Sequence, residues 1–267
     1  MFVPCGKCRA CRIQRNAEWA IRMVHEATSH KENAFITLTY NNENLPKNES
    51  INKSEVQRFI KRLRKKIGDR KIKYFASGEY GDKKTQNLRP HYHAIIFGLG
   101  PESMETYKIG RDKGKNILSS KLLNDVWPYG NNYVGWVSYN SARYVSKYIQ
   151  KKIYGPKANK DGKLEPFALM SQGIGLKWAI ENKKQLINTL STTINGEPVG
   201  LPKYYRKKLD IPSEALYLKS LEASALKTKY YTEKYKDPEL IWKKSKQSRI
   251  QTNINLKAKE NIKEARV

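Results

Sequence analysis

The chain has 267 residues, room for one large domain or one domain with an appendage, and 39% hydrophobic residues are enough to build a core. Its 52 lysines and arginines against 25 aspartates and glutamates leave a net charge of +27, so a polyanion is the expected partner. Neutralised phosphates and released counterions favour nucleic-acid binding by such a surface. The sequence argues against a membrane span, having no apolar run of about 18 residues. It also argues against a secretory leader, because MFVPCGKCRACR lacks an apolar stretch. Three cysteines make no disulfide framework, which favours a reducing compartment.

In chain order, residues 6–29 read as a helix. Ile13, Ala17, Ala20, Val24 and Ala27 form its apolar stripe, and Arg12, Arg15 and Arg22 decorate the rest. AFITLTY (34–40) alternates and is rich in β-branched and aromatic residues, as a strand should be. After the polar loop NNENLPKNES, Ser54 is the expected cap of a helix, with Gln57 in the capping-box position. Val56, Phe59, Ile60, Leu63 and Ile67 form that helix's buried stripe, and Gly68 ends it. KIKYFASGEYG (71–81) reads as a second strand, GDKKTQNLRP as a turn-rich connection and HYHAIIFG (91–98) as a third strand. The segment from Leu99 to about Lys115 reads as a loop, and ILSSKLLNDVW as a helix stopped by Pro128. YVGWVSY (133–139) is a fourth strand, followed by the helix SARYVSKYIQKKI (141–153) with Ser141 as its expected cap.

The order β-α-β-β-α-β predicts an α+β fold: a ferredoxin-like antiparallel sheet with helices on one face, and the tyrosine-bearing helix packed on it. GPKANKDGK reads as a loop and LKWAIENKKQLINTL as helical. Beyond them lies a Lys-rich, mostly helix-forming C-terminal region, suited to DNA contact or to solvation. The expected organisation is a Cys/Arg-rich helical segment (1–33), a catalytic core (34–155) and a basic helical region (156–267).

His91 and His93 stand two apart on a strand, so both project to one face while Tyr92 points to the other. Two neighbouring imidazoles can chelate one divalent metal. Glu79, near the turn that leads into this strand, supplies an oxygen donor. On the helix, Tyr144, Lys147, Tyr148 and Lys151 fall at i, i+3, i+4 and i+7 and share a face. Ala142, Val145, Ile149 and Ile153 form the adjoining apolar stripe. Phenols beside ammonium groups suit attack on a phosphodiester, because the lysine charge favours phenolate and holds the phosphate. With a metal polarising the phosphate, a tyrosine would attack in line, release a 3′-hydroxyl and keep the 5′ end as a phosphotyrosine. A second transesterification could then rejoin the strand, and two tyrosines a turn apart would allow consecutive cleavages. Two nitrogens and an oxygen suit Mn²⁺, with Mg²⁺ favoured by abundance.

FITLTY, RPHYHAIIFG and YVSKYIQK together resemble the three motifs of HUH endonucleases, the rolling-circle replication initiators. More closely, VPCGKCRACR, EWAIRMVHE, SGEYG, RPHYHAIIFG, ARYVSKYIQKK and LPKYYRKKL resemble the replication initiators of gokushovirus-type microviruses, over about residues 3 to 210. The resemblance implies nicking at a replication origin, covalent 5′ attachment and recircularisation of displaced single strands. It assigns metal ligation to His91, His93 and Glu79, nucleophile roles to Tyr144 and Tyr148, with Tyr144 favoured, and phosphate contact to Lys147. Arg89, Arg143, Lys151 and Lys152, lying in or beside these motifs, are the expected DNA contacts. Host helicase and DNA polymerase are the implied partners, since no Walker-type motif is present, and the host bacterial cytoplasm is the implied location. A relaxase or transposase would share this chemistry. A non-catalytic DNA-coating or packaging protein would account for the charge alone, and a water-activating metal hydrolase would need no tyrosine.

Cys5, Cys8 and Cys11 have CxxCxxC spacing, but a structural zinc site wants four ligands and no fourth cysteine exists. His25 or His30 could serve only if the chain folds back. Reduced thiols at a helix start are the simpler reading, with zinc as the alternative.

Overall fold

The computed structural model describes residues 5–6, 8–81, 89–112, 114–153 and 163–261, so the connection 82–88 and the loop 154–162 lie outside the described residues. The chain divides into two compact units, one from Arg15 to Glu181 and one joining the first fourteen residues to Asn182–Arg266.

The larger unit is built on a seven-stranded sheet: β1 (Asn33–Thr39), β2 (Lys73–Tyr80), β3 (Pro90–Phe97), β4 (Thr106–Asp112), β5 (Lys115–Ser120), β6 (Asn132–Trp136) and β7 (Phe167–Met170), in the order β4-β5-β6-β1-β3-β2-β7. Every pairing is antiparallel. Within it β6-β1-β3-β2 has the strand order of the expected split βαβ arrangement. The two connecting helices, α2 (Lys53–Lys66) and α3 (Lys121–Val126), bury Val56, Phe59, Ile60, Leu63, Leu123 and Val126 on one face. There they meet Ala34, Ile36, Leu38, Tyr92, Ala94 and Ile96.

The opposite face is covered too. Helices α1 (Arg9–Thr28) and α4 (Tyr139–Ile153) lay Ala20, Met23, Ala142 and Val145 over Phe35, Phe75, Ile95 and Phe97. The larger unit is therefore wider than the core read as 34–155, because α1 from Arg15 onward and β7 both belong to its packing. The buried side of α1 is also rotated from the expected stripe. Arg22 is buried rather than decorating the surface, with its Nε donating to the Ile174 carbonyl at 3.1 Å and its guanidinium 3.9 Å over the Trp19 ring. One turn on, buried Glu26 takes Lys73 Nζ at 2.9 Å, His30 Nε2 at 2.8 Å and the Gly175 amide at 2.7 Å. The stretch EWAIRMVHE thus ties α1 to β2 and to the loop before α5 (Leu176–Glu181).

Several local expectations are corrected. The segment after Leu99 is a β4–β5 hairpin, and ILSS belongs to its second strand. Ser120 ends that strand and caps α3, its Oγ accepting the Leu123 amide at 3.1 Å. Asn52 caps α2, accepting the Ser54 amide and hydroxyl at 2.9 Å each. On α4 the cap is Ser138, which accepts the Ser141 amide at 3.1 Å while Ser141 Oγ accepts the Ser138 amide at 2.8 Å. Ser141 is the reciprocal partner in that box, three residues inside.

In the smaller unit, α6 (Lys183–Thr189) leads into a hairpin of β8 (Ser191–Ile194) and β9 (Glu197–Gly200). The predicted continuous helix 176–190 is broken at Asn182, which is the N-cap of α6. After α7 (Lys203–Lys208), α8 (Ser213–Tyr235) and α9 (Pro238–Asn261) are long and largely exposed, a basic helical region as expected. Among the described residues no helix is long and apolar enough to cross a membrane.

Candidate active site

The alternation of β3 decides which side chains reach the site. Tyr92 points to the α2 side, where its buried hydroxyl meets Tyr40 Oη at 2.7 Å and accepts the Asn52 amide at 2.7 Å. His91 and His93 therefore face α4. The register places Glu79 of β2 directly opposite His91, Ser77 opposite His93, and Thr37 of β1 opposite His93 on its other side. The ligand atoms of Glu79, His91 and His93 lie within 4.8 Å of one another, a grouping that could hold a metal ion.

Both imidazoles turn Nε2 toward the same carboxylate oxygen, Glu79 Oε1, at 3.2 Å from His91 and 2.9 Å from His93. Behind them, His91 Nδ1 lies 3.0 Å from the Arg89 carbonyl and His93 Nδ1 lies 2.9 Å from Thr37 Oγ1. Such contacts behind the ring fix imidazole orientation in metal sites. The ring of Phe35 stacks on His93, with centroids 5.7 Å apart and planes at 15°. Glu79 and His93 are buried and His91 is half-buried, so the site opens on one side only. Burial works against charge on Glu79, but hydrogen bonds and charge from His91 and His93 together outweigh it and hold the carboxyl well below the usual range.

The donor set passes a test of fit to a metal. A carbonyl can only accept, so the proton on His91 sits on Nδ1, and a neutral ring presents a lone pair from Nε2. That lone pair faces an acceptor, Glu79 Oε1, 3.2 Å away. Two acceptors so placed require a proton or a cation between them. Two imidazole nitrogens and one carboxylate oxygen are suitable ligands for Mn²⁺, and less so for Mg²⁺.

The tyrosine helix meets this cluster through Tyr144. Its hydroxyl donates to Glu79 Oε1 at 2.9 Å and lies 3.0 Å from His93 Nε2, with the phenol ring edge-on to Phe35. Two features hold α4 in place: Ala142 and Val145 are fully buried on the sheet, and Asn16 of α1 bridges to it. Asn16 Nδ2 donates to the Arg143 carbonyl at 3.1 Å, and its Oδ1 accepts Ser146 Oγ at 3.1 Å.

Of the residues read from sequence, Glu79, His91, His93 and Tyr144 come together. Lys147 is half-buried one turn along α4. Tyr148, Lys151 and Lys152 also lie on α4, but their side chains are outside the described residues, as are those of Ile149 and Ile153. Arg89 donates to Asn42 Oδ1 at 2.7 Å and to the Tyr40 carbonyl at 3.2 Å, tethering the β1–α2 loop beside the site. Arg143 lies 6.0 Å over the Tyr139 ring. Sequence reading missed Thr37, Asn16 and Ser77. Ser77 is fully buried on the same strand face, with no hydrogen-bond partner for its Oγ. Strand alternation alone would have put Thr37 beside Phe35 on the site face, but register across strands was needed to set it against His93.

Residues 33–153 match the family model for the replication-associated protein of the ORF2 type. Over 221 residues the chain is 38% identical to the replication-associated protein ORF2 of Spiroplasma virus 4, covering 78% of this chain and 68% of that one. It is 32% identical to the replication-associated protein VP4 of Bdellovibrio phage phiMH2K, covering 76% and 66%. It is also 32% identical to the replication-associated protein ORF4 of Chlamydia phage 1, covering 78% of this chain and 53% of the relative. The chain thus spans about two thirds of the first two relatives and about half of the third. No solved structure matches. With its metal-type triad and tyrosine inside the matched segment, the chain belongs to the family of replication-associated proteins of gokushovirus-type microviruses.

Proposed function

We propose that the protein initiates rolling-circle replication by nicking and rejoining single-stranded DNA at a viral origin. The observation that carries the reading is the Tyr144 hydroxyl, held 2.9 Å from Glu79 Oε1 and 3.0 Å from His93 Nε2 at the open side of a metal-type triad. The names of the relatives support a role in replication, and the net charge of +27 supports a DNA substrate.

His91, His93 and Glu79 would hold the divalent ion, Mn²⁺ or Mg²⁺. When bound, the ion supplies Lewis-acid polarisation of the scissile phosphate. The rest belongs to the protein's own side chains. Thr37 and the Arg89 carbonyl lock the imidazoles, so the ligand atoms stay converged as substrate enters. Packing of Ala142 and Val145 fixes the Tyr144 hydroxyl in position to attack, and fixed positioning lowers the barrier by removing the search for geometry. Its oxygen bonds to phosphorus as the bond to the 3′-oxygen breaks; the 3′-oxygen leaves and takes up a proton. The phenolic proton departs along the hydrogen bond to the Glu79 carboxylate, which its histidine partners keep ionised. Lys147, a turn away, faces the phosphate's charge, and Arg143 steadies the incoming strand. Tyr148 serves the second transesterification that closes the displaced circle. Lys151 and Lys152 extend the strand's path along α4. Unwinding and synthesis fall to a host helicase and DNA polymerase.

The test is incubation with single-stranded oligonucleotides spanning the cognate origin, with Mn²⁺ or Mg²⁺, followed by a denaturing gel. The expected result is a metal-dependent protein–DNA adduct that slows with Tyr144→Phe and vanishes with Tyr144→Phe/Tyr148→Phe or His91→Ala. Cleavage without an adduct would make the protein a water-activating hydrolase. Binding without cleavage would make it a DNA-coating protein.

A further inference from the structure

A second group of metal-type donors lies outside the site above and outside the segment matched to the family model. Cys5, Cys8 and Cys11 bring their three sulfurs within 4.8 Å of one another, with Cys5 Sγ and Cys11 Sγ 3.9 Å apart. The local chain explains how. Gly6 sits at φ +71, the left-handed region that favours glycine, and turns the chain so that the Cys8 amide donates to Cys5 Sγ at 3.2 Å. An amide hydrogen bond to sulfur stabilises thiolate over thiol. The α1 helix begins at Arg9, and its first turn delivers Cys11 back to the other two sulfurs, near the positive end of the helix dipole.

We propose that Cys5, Cys8 and Cys11 form a second metal site, a three-thiolate cup for a thiophilic cation, zinc in the cell, with its fourth position toward solvent. Three features separate this from reduced thiols that happen to start a helix. All three sulfurs converge on one point, although two of the three cysteines are exposed and no hydrophobic packing forces them together. The spacing leaves two residues between successive ligands, the short chelate loop of thiolate metal sites. And crowding has a cost without a cation: the neighbouring Cys8 and Cys5 thiols push the Cys11 thiol above its ordinary value. A soft cation relieves that repulsion, since thiolate is the form that binds metal. The fourth ligand is neither His25 nor His30, because His25 is stacked on Trp178 with centroids 3.5 Å apart and His30 is bonded to Glu26. His91 and His93 are committed to the other site. The ion would pin the start of α1, the helix whose later turns hold α4.

Titration of the reduced full-length protein with Co²⁺ tests this independently of any DNA chemistry. The expected result is a thiolate-to-cobalt charge-transfer band that saturates at one equivalent, is displaced by Zn²⁺ and is absent from the Cys5→Ser/Cys8→Ser/Cys11→Ser variant. The His91→Ala variant should keep it, since imidazole and carboxylate ligands give no such band. Single Cys→Ser changes should weaken zinc binding by about tenfold or more. No charge-transfer band in the fully reduced protein would overturn the proposal. So would a mass lower by two hydrogens after purification without reductant together with no zinc retained, which would assign the close Cys5–Cys11 pair to a disulfide.

Discussion

Thr37 touches no substrate and would attract no notice in the sequence, yet its hydroxyl holds the Nδ1 side of His93. Removing the contact while keeping the shape isolates its effect. Thr37→Val should lower Mn²⁺ affinity by about 10- to 100-fold with little loss of stability, as isothermal titration and a melting curve would show together. His25 gives a residue-scale prediction of another kind. Burial against Trp178 pushes its pKa down to about 4, well below the ordinary histidine value, so it folds as the neutral ring. Between those two values the unfolded chain binds a proton that the folded chain refuses. Stability from this group is therefore complete above about pH 6.5 and is lost as pH falls toward 4, by at most about 3 kcal/mol. Urea midpoints at several pH values would show the loss, and His25→Phe should flatten it over that window. Glu26 and Glu79, whose carboxyls are held low, release their share at still more acid pH, so the effects separate.

At the scale of elements, the metal ligands and the nucleophile have different supports. The ligands sit on the paired central strands β2 and β3, whereas Tyr144 depends on α4, which depends in turn on Asn16 of α1. Asn16→Ala should cost about 1–2 kcal/mol and slow adduct formation while leaving Mn²⁺ affinity unchanged, a split that chemical denaturation, gel assay and calorimetry would resolve. The elements also show what the sequence makes legible. His91 and His93 two apart in an apolar run, and Tyr144 in a clear amphipathic helix, declare their faces locally, because a strand's period of two and a helix's of 3.6 need no distant information. Glu79 is legible as a candidate but acquires its role only from the β2–β3 register. Hidden altogether is Asn16, whose bonds reach 127 and 130 positions along the chain. The hairpin of β8 and β9 was there to be read: Asn195-Gly196, both at positive φ, is the favoured two-residue turn. Its four-residue strands are too short for alternation to stand out against the helical pattern on either side. Likewise ILSSKLLNDVW spans a strand and a helix that meet at Ser120, and its apolar residues fit either period.

For the molecule as a whole, charge governs encounter and the buried site governs chemistry. A net charge of +27 makes single-strand affinity strongly salt-dependent, and it should fall by about a hundredfold or more between roughly 50 and 200 mM salt, measured by fluorescence anisotropy. The affinity should lose little with His91→Ala, because the phosphate contacts that dominate it lie elsewhere. Cleavage at saturating DNA should be far less sensitive to salt than binding is, since the triad and Tyr144 are largely shielded from bulk ions.

The register of β3 has a consequence for how such a protein can change. Its odd-numbered positions carry the chemistry and its even-numbered ones, Tyr92, Ala94 and Ile96, carry the core. Deleting one residue inside the strand would exchange the two sets, burying imidazoles among the side chains of α2 and turning the tyrosine hydroxyl away from Tyr40 and Asn52. Catalysis and folding would fail in one step. A frame of this kind tolerates length variation in the connections outside the paired strands and forbids it within them, so a lineage can lengthen its loops freely while the spacing His91-Tyr92-His93 stays fixed by parity alone.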